Sequence, residues 1–196
     1  MKQPLVLIIA GPNGAGKTTT AMHLLPNVLK IKHFVNADMI AKGLSPFDPT
    51  LAEFQAGKLM VEQIETLIKQ RESFTVETIL ASRSYISMLK KCCKAGYLSE
   101  LLFIALPNPE LAKSRVALRV MRGGHDIPKE TIERRFYLGL KNLFHLYMPL
   151  MDEWTMVESI NIPIKQIAEK KLYNEEIKFT DRSKFEYYQK LVKSCQ

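Results

Sequence analysis

Residues 5–19 read LVLIIAGPNGAGKTT, and this stretch decides the fold. Leu5–Ala10 is an unbroken apolar run of strand length, the pattern of a strand buried on both faces. A glycine-rich turn follows, then Lys17, Thr18 and Thr19 open a helix-compatible segment that should end near Pro26. Gly11–Thr18 fits G-x-x-x-x-G-K-[ST], in the strand–loop–helix context that the motif requires. The glycines let backbone N–H groups turn inward around a β-phosphate, and the helix N-terminus adds its positive end. Gly11, Pro12, Asn13, Gly14, Ala15, Gly16, Lys17, Thr18 and Thr19 are therefore the candidate ATP-binding residues. Lys17 can reach the β- and γ-phosphates, and the Thr18 hydroxyl can ligate Mg²⁺.

Outward from this loop, short apolar runs alternate with helical patterns. Strands are expected at Leu5–Ala10, His33–Val35, Phe74–Glu77, Leu101–Leu106 and Thr155–Glu158. Leu51, Phe54, Gly57, Val61, Ile64 and Ile68 step by three and four, which predicts one helix face; Phe136, Leu140, Leu143 and Tyr147 do the same. Asp48-Pro49-Thr50 and Ile127-Pro128 read as helix starts. The expected class is α/β, with a three-layer P-loop kinase fold. Its central, mostly parallel sheet has about five strands, helices on both faces and a helical lid. One domain over 1–196 is expected, with the lid at about 115–135 and a peripheral hairpin and helix at about 164–196.

The loop leaves the reaction open. The strand ending at Leu106-Pro107 carries no Walker B acid, and neither an LSGGQ-like signature nor an N-K-x-D motif is present. That pattern favours a small kinase over transporter ATPases and GTPases. Asp38 follows the second strand, at the sheet edge where open α/β sheets bind ligands. A carboxylate there can take the proton of an attacking hydroxyl, or it can simply cap the helix starting near Met39. Glu77 and Thr78 close the third strand at the same edge. Glu77 can bind substrate hydroxyls or a metal-bound water, or pair with a nearby basic residue. In SRVALRVMRGGHDIPKETIERRF, Arg115, Arg119 and Arg122 share one helix face, followed by a Gly-Gly loop and then by Arg134 and Arg135. Two helices joined by such a loop form a lid whose arginines can stabilise a transferring phosphoryl group; the alternative is a solvated basic face.

Hydrophobic residues make up 46% of the chain and charged ones 24%, ordinary values for a globular protein. A formal net charge of +8 favours anionic partners and keeps nucleic acid among them. The apolar run after Lys2 is too short for a signal peptide, and no segment is long enough to span a membrane. Three cysteines, two of them adjacent at Cys92 and Cys93, match neither a disulfide framework nor a metal site. A cytoplasmic location is expected.

Taken together, GPNGAGKTT, NADMIAKGLSP, VETILAS, RVALRVMRGGHDIP and the RRF that follows resemble the zeta toxin family of P-loop kinases, over roughly Leu5 to Ala168. The resemblance implies a fold like that of shikimate and nucleotide kinases. It implies phosphorylation of the 3′-hydroxyl of UDP-N-acetylglucosamine or a related UDP-sugar, and restraint by a small antitoxin protein. Carried over by motif, Lys17 and Thr18 are the ATP and Mg²⁺ residues, Asp38 is the general base, and Glu77 and Thr78 belong to the UDP-sugar side. Arg119, Arg122 and Arg135 are the candidate phosphate-gripping arginines. The chain is compact, closer to the short zeta-like branch, and Glu158-Ser159 stands where the family pattern places Asn-Ser near the adenine. Two further readings stay open: a kinase of another small hydroxyl compound or of a nucleic-acid 5′ end, and a nucleotide-gated interaction protein.

Overall fold

A computed structural model describes residues 3–124, 126–160, 163–174 and 176–193. Lys2, His125 of the expected lid and Cys195 lie outside the described residues. Five strands form a parallel sheet: β1 (Leu5–Ala10), β2 (His33–Val35), β3 (Phe74–Thr78), β4 (Leu98–Ala105) and β5 (Glu153–Glu158). Two more, β6 (Lys165–Lys170) and β7 (Lys178–Phe179), add to it antiparallel. The order is β2-β3-β1-β4-β5-β6-β7. Among the described residues the sheet thus has seven strands where about five were expected, and the five expected ones are its parallel part.

The two-residue period of β1 builds the layers. Val6, Ile8 and Ala10 point into one apolar cluster, with α3 (Glu53–Gln70), α4 (Ser84–Lys94) and α7 (Arg182–Lys193). Leu7 and Ile9 point into the other, with α1 (Lys17–Leu24), α5 (Pro109–Met121) and α6 (Lys129–Asn142). α6 serves both clusters: Ile132 and Phe136 pack on one side, Leu140 and the following turn on the other. The expected stripe Phe136, Leu140, Leu143 and Tyr147 is buried throughout.

The expected face of α3 is corrected. Its buried stripe is Ala56, Met60, Ile64 and Leu67, whereas Leu51, Phe54 and Val61 are exposed. Ile64 is buried and Ile68 packs against the core as expected; apolar residues at helical spacing occupy more than one side of this segment, so periodicity alone places the stripe partly on the exposed side. α1 ends at Leu24, close to the expected stop near Pro26. The chain continues to Leu29 as a wider π-type turn with Pro26 near its start, and closes at Lys30 in the left-handed conformation. The C-terminal segment is built firmly into the sheet. Phe185 of α7 is buried and packs edge-on against Phe144 and Phe179 and in a stack with Trp154, an arrangement that favours aromatic rings. Among the described residues no helix is long and apolar enough to cross a membrane.

On the other face of β3 from Phe74 and Val76, Thr75 is fully buried and its hydroxyl has no hydrogen-bond partner. An unpaired buried hydroxyl costs roughly 1–3 kcal/mol, and a methyl of the same shape removes that cost. Thr75→Val is expected to stabilise the fold by about 1 kcal/mol, a rise of roughly 2–4 °C in melting temperature for a chain of this size. A thermal melt showing a lower Tm would mean that the hydroxyl is satisfied, for instance by an internal water.

Candidate active site

The C-terminal ends of β1, β2 and β3 meet at one edge of the sheet. β3 runs beside β1 with Ile9 opposite Glu77 and Ala10 opposite Thr78, so both residues stand next to the loop that leaves β1. Gly16, at the start of α1, has φ 87° and no neighbour within 4 Å of an added Cβ. The backbone there is left-handed, which favours glycine, and it leaves open space on the cleft side of the loop.

Glu77 holds the edge together. Its Oε2 accepts from the Thr18 hydroxyl at 2.8 Å and from the Asn36 amide at 2.7 Å. Its Oε1 lies 4.0 Å from Lys17 Nζ, which also donates to the Pro12 carbonyl at 3.1 Å. Lys17 is buried, and that burial lowers its pKa; the carboxylates of Glu77 and Asp38 act against the shift, and Arg119 acts with it. Asn36 caps the helix α2 (Ala37–Leu44) by accepting from Met39 N at 3.1 Å. Asp38 therefore lies in the first turn of α2 and is not its N-cap.

These groups line a cleft of about 910 Å³. Lys17, Thr18, Thr19, Asn13, Gly14, Gly16, Asp38, Glu77 and Thr78 reach it, as do Arg115, Arg119, Arg122, Arg134 and Arg135. Gly11, Pro12 and Ala15 of the predicted set are buried in the back of the loop and stay out of the lining. The Gly-Gly loop is a defined helix end: Gly123 N donates to Val120 O and Gly124 N to Arg119 O, both at 2.9 Å, the paired bonds of a Schellman cap. A Cβ at Gly124 would lie 2.6 Å from Arg119 Cγ, so glycine there leaves room for that arginine. α5 and α6 are anchored by the buried Val116, Ile132 and Phe136 and by the ion pair of Lys113 with Glu133 at 2.6 Å.

Sequence reasoning missed the wall formed by Ser82, Ser84 and Tyr85. Leu80, fully buried at φ 61°, bends the chain so that this wall faces the cleft. Asn142 holds the bend by donating to Leu80 O at 2.7 Å, and the Tyr147 hydroxyl donates to Ser82 O at 2.8 Å. Burial raises the pKa of the Tyr85 hydroxyl, and its bond with Thr78 works against that. The available signal was the hydroxyl-rich ASRSY, two residues beyond a strand that ends at the ligand edge.

The Zeta toxin family profile matches residues 48–176, more than half of the chain, including Glu77, Thr78 and the arginines. An uncharacterized protein of Haemophilus influenzae (strain ATCC 51907 / DSM 11121 / KW20 / Rd) is 28% identical over 134 residues, 68% of this chain and 94% of that protein. The AvrRxo1-ORF1:-ORF2 crystal structure with ATP superposes with a TM-score of 0.77 at 19% identity, covering 97% of this chain and 64% of that one. This chain therefore spans less than two thirds of that structure's length. The toxin–antitoxin system PezAT of Streptococcus pneumoniae matches with a TM-score of 0.63 at 14% identity, covering 99% of this chain and 88% of that one. At these identities the structural matches speak for the fold, which is that of P-loop kinases. By its family match over residues 48–176, the chain belongs to the zeta toxin family.

Proposed function

We propose that the protein is an ATP-dependent kinase that phosphorylates a hydroxyl of a UDP-sugar such as UDP-N-acetylglucosamine. The observation that carries this reading is the convergence of Lys17, Thr18, Glu77 and Asp38, with five arginines, on one cleft. Loop N–H groups and Lys17 hold the β- and γ-phosphates. The Thr18 hydroxyl and the adjoining Glu77 carboxylate are a hard oxygen pair suited to Mg²⁺, which takes one or two protein oxygens and completes its shell with phosphate and water. When bound, Mg²⁺ neutralises charge on the β- and γ-oxygens.

Asp38 takes the proton of the acceptor hydroxyl as that oxygen forms its bond to the γ-phosphorus. The bond from phosphorus to the β–γ bridging oxygen breaks, and ADP leaves with the electron pair. Arg119, Arg122 and Arg135 bear on the equatorial oxygens as the 115–135 segment closes over the nucleotide. Thr78 and the Ser82–Tyr85 wall face the acceptor. Lys17 and the five arginines exceed the two acids of the cleft, so an acceptor with its own phosphates is favoured. A small antitoxin is the proposed protein partner, as the PezAT relative is a toxin–antitoxin system. A cytoplasmic location fits the use of ATP. The +8 charge supports one second reading, a nucleic-acid 5′ end as acceptor.

Incubation with ATP, Mg²⁺ and a panel of UDP-sugars, nucleosides, small sugars and RNA 5′ ends, with products weighed by mass spectrometry, tests this. A phosphorylated UDP-sugar is expected; transfer to another member reassigns the acceptor, and transfer to none removes the kinase reading. Asp38→Asn is expected to lower turnover by about 10²–10⁴ with ATP affinity and Tm nearly unchanged. Because Asn36 is the cap, Asn36→Ala and not Asp38→Ala should show the cap loss of about 1 kcal/mol in a denaturant titration. Turnover of Asp38→Asn at the wild-type rate would remove Asp38 as the base.

Lys17 gives a pH signature. Its folded pKa lies below the ordinary 10.5, so the unfolded chain binds more protons in the alkaline window beneath that value, and stability rises with pH there. Lys17→Met removes this burden. It should be at least as stable as the wild type at neutral pH, lose ATP binding, and lose its stability advantage as the pH approaches 10.5. A variant less stable than wild type in neutral melts would show that Lys17 supports the fold.

A further inference from the structure

In-line transfer places the acceptor oxygen and the leaving oxygen on opposite sides of the transferred phosphorus. Asp38 and Glu77 stand on the β2–β3 side of β1, so ADP extends toward the β4–β5 side. At the ends of β4 and β5 lies a chain of contacts that the phosphoryl chemistry does not use. Arg115 Nη2 donates to the Ile160 carbonyl at 3.0 Å, and Nη1 makes longer contacts of 3.4 Å with Gly14 O and Ser159 Oγ. Arg115 thus bridges the phosphate loop and the segment that leaves β5.

One residue earlier, Glu158 is the last residue of β5, and only 6% of it is exposed. Its side chain stays out of the cleft lining, so this acid does not stand where the sequence pattern placed a base-contacting residue. A buried carboxylate is costly unless it is paired and hydrogen-bonded. Both partners come from α7: Lys184 forms an ion pair with Oε2, and the buried Tyr188 hydroxyl donates to Oε1 at 2.8 Å. The neighbouring Tyr187 hydroxyl donates to Pro107 O at 2.9 Å, in the loop that leaves β4. Ser159 N donates to Ala105 O at 3.0 Å and joins the two loops.

We infer that α7 is a positioning element for the nucleoside end of ATP. Through Glu158 and Pro107 it sets the two loops that border the nucleoside subsite, and Arg115 keeps that subsite at a fixed spacing from the phosphate loop. The inference rests on the reading of the cleft as an ATP site. The aromatic packing of Phe185 fixes α7 to the sheet, so the latch side chains are held on a rigid support.

Calorimetric titration of the full chain with ATP and with inorganic tripolyphosphate separates the two ends of the nucleotide. Tyr188→Phe removes one latch bond and Tyr187→Phe, at an exposed position, removes the other. Each should weaken ATP measurably, by up to about five- to tenfold, the ceiling set by losing one bond that holds a loop in place, with tripolyphosphate affinity unchanged. KM for ATP should rise while kcat at saturating ATP is retained. Ser99→Ala is the control. Its hydroxyl bonds Asp152 at 2.7 Å near the start of β4, at the opposite edge of the sheet, so it costs stability without touching the latch. ATP affinity at the wild-type level in both tyrosine variants would overturn the inference, as would equal weakening of ATP and tripolyphosphate. A wild-type protein that binds neither probe would instead overturn the ATP-site reading, and the inference with it.

Discussion

The Glu77 carboxylate is the contact on which the rest of the edge depends. It is nearly buried, and an acid in that position must be met by donors. Thr18 comes from the phosphate loop, Asn36 from the end of β2, and Lys17 faces the second oxygen. Two chain segments far from Glu77 in sequence, the phosphate loop and the end of β2, are thereby brought to one carboxylate. Asn36 also caps α2, so the same amide side chain that holds Glu77 sets the helix whose first turn presents Asp38.

The strand order explains why the acid is there. The sequence reading sought a Walker B carboxylate at the end of the strand at 101–106 and found Leu106-Pro107. β1, however, has two neighbours, and the one on its other side, β3, carries Glu77 as its last residue but one. Parallel strands joined by long crossovers place no constraint on which pair will be adjacent that can be read from local pattern. The acid was visible in the sequence, but its neighbourhood with Thr18 was not.

The basic helices follow a similar logic. Arg115, Arg119 and Arg122 share a face, as their spacing required, yet they meet different partners. Arg115 is drawn to the Gly14 and Ile160 carbonyls, whereas Arg119 and Arg122 extend along the cleft beyond the buried Val116. Gly124 marks where that second group begins, because a side chain there would occupy the space of Arg119. A row of like charges at helical spacing thus divides according to how deep each residue sits in the packing.

Much was determined by the sequence alone. The apolar run Leu5–Ala10 and the loop Gly11–Thr18 specify a strand buried on both faces, a phosphate loop and a helix, because each depends on side-chain period and backbone freedom within a few residues. The same holds for β2, β3 and the stripe from Phe136 to Tyr147. Only the tertiary structure decided which face of α3 is buried, that the chain beyond Pro163 joins the sheet and closes it with α7, that Asn36 and not Asp38 caps α2, and that Glu158 turns into the core toward Tyr188 and Lys184. Each of these is a choice among locally equivalent alternatives. It is settled by which distant surface covers a side chain, and that depends on strand order and packing, not on neighbours in sequence.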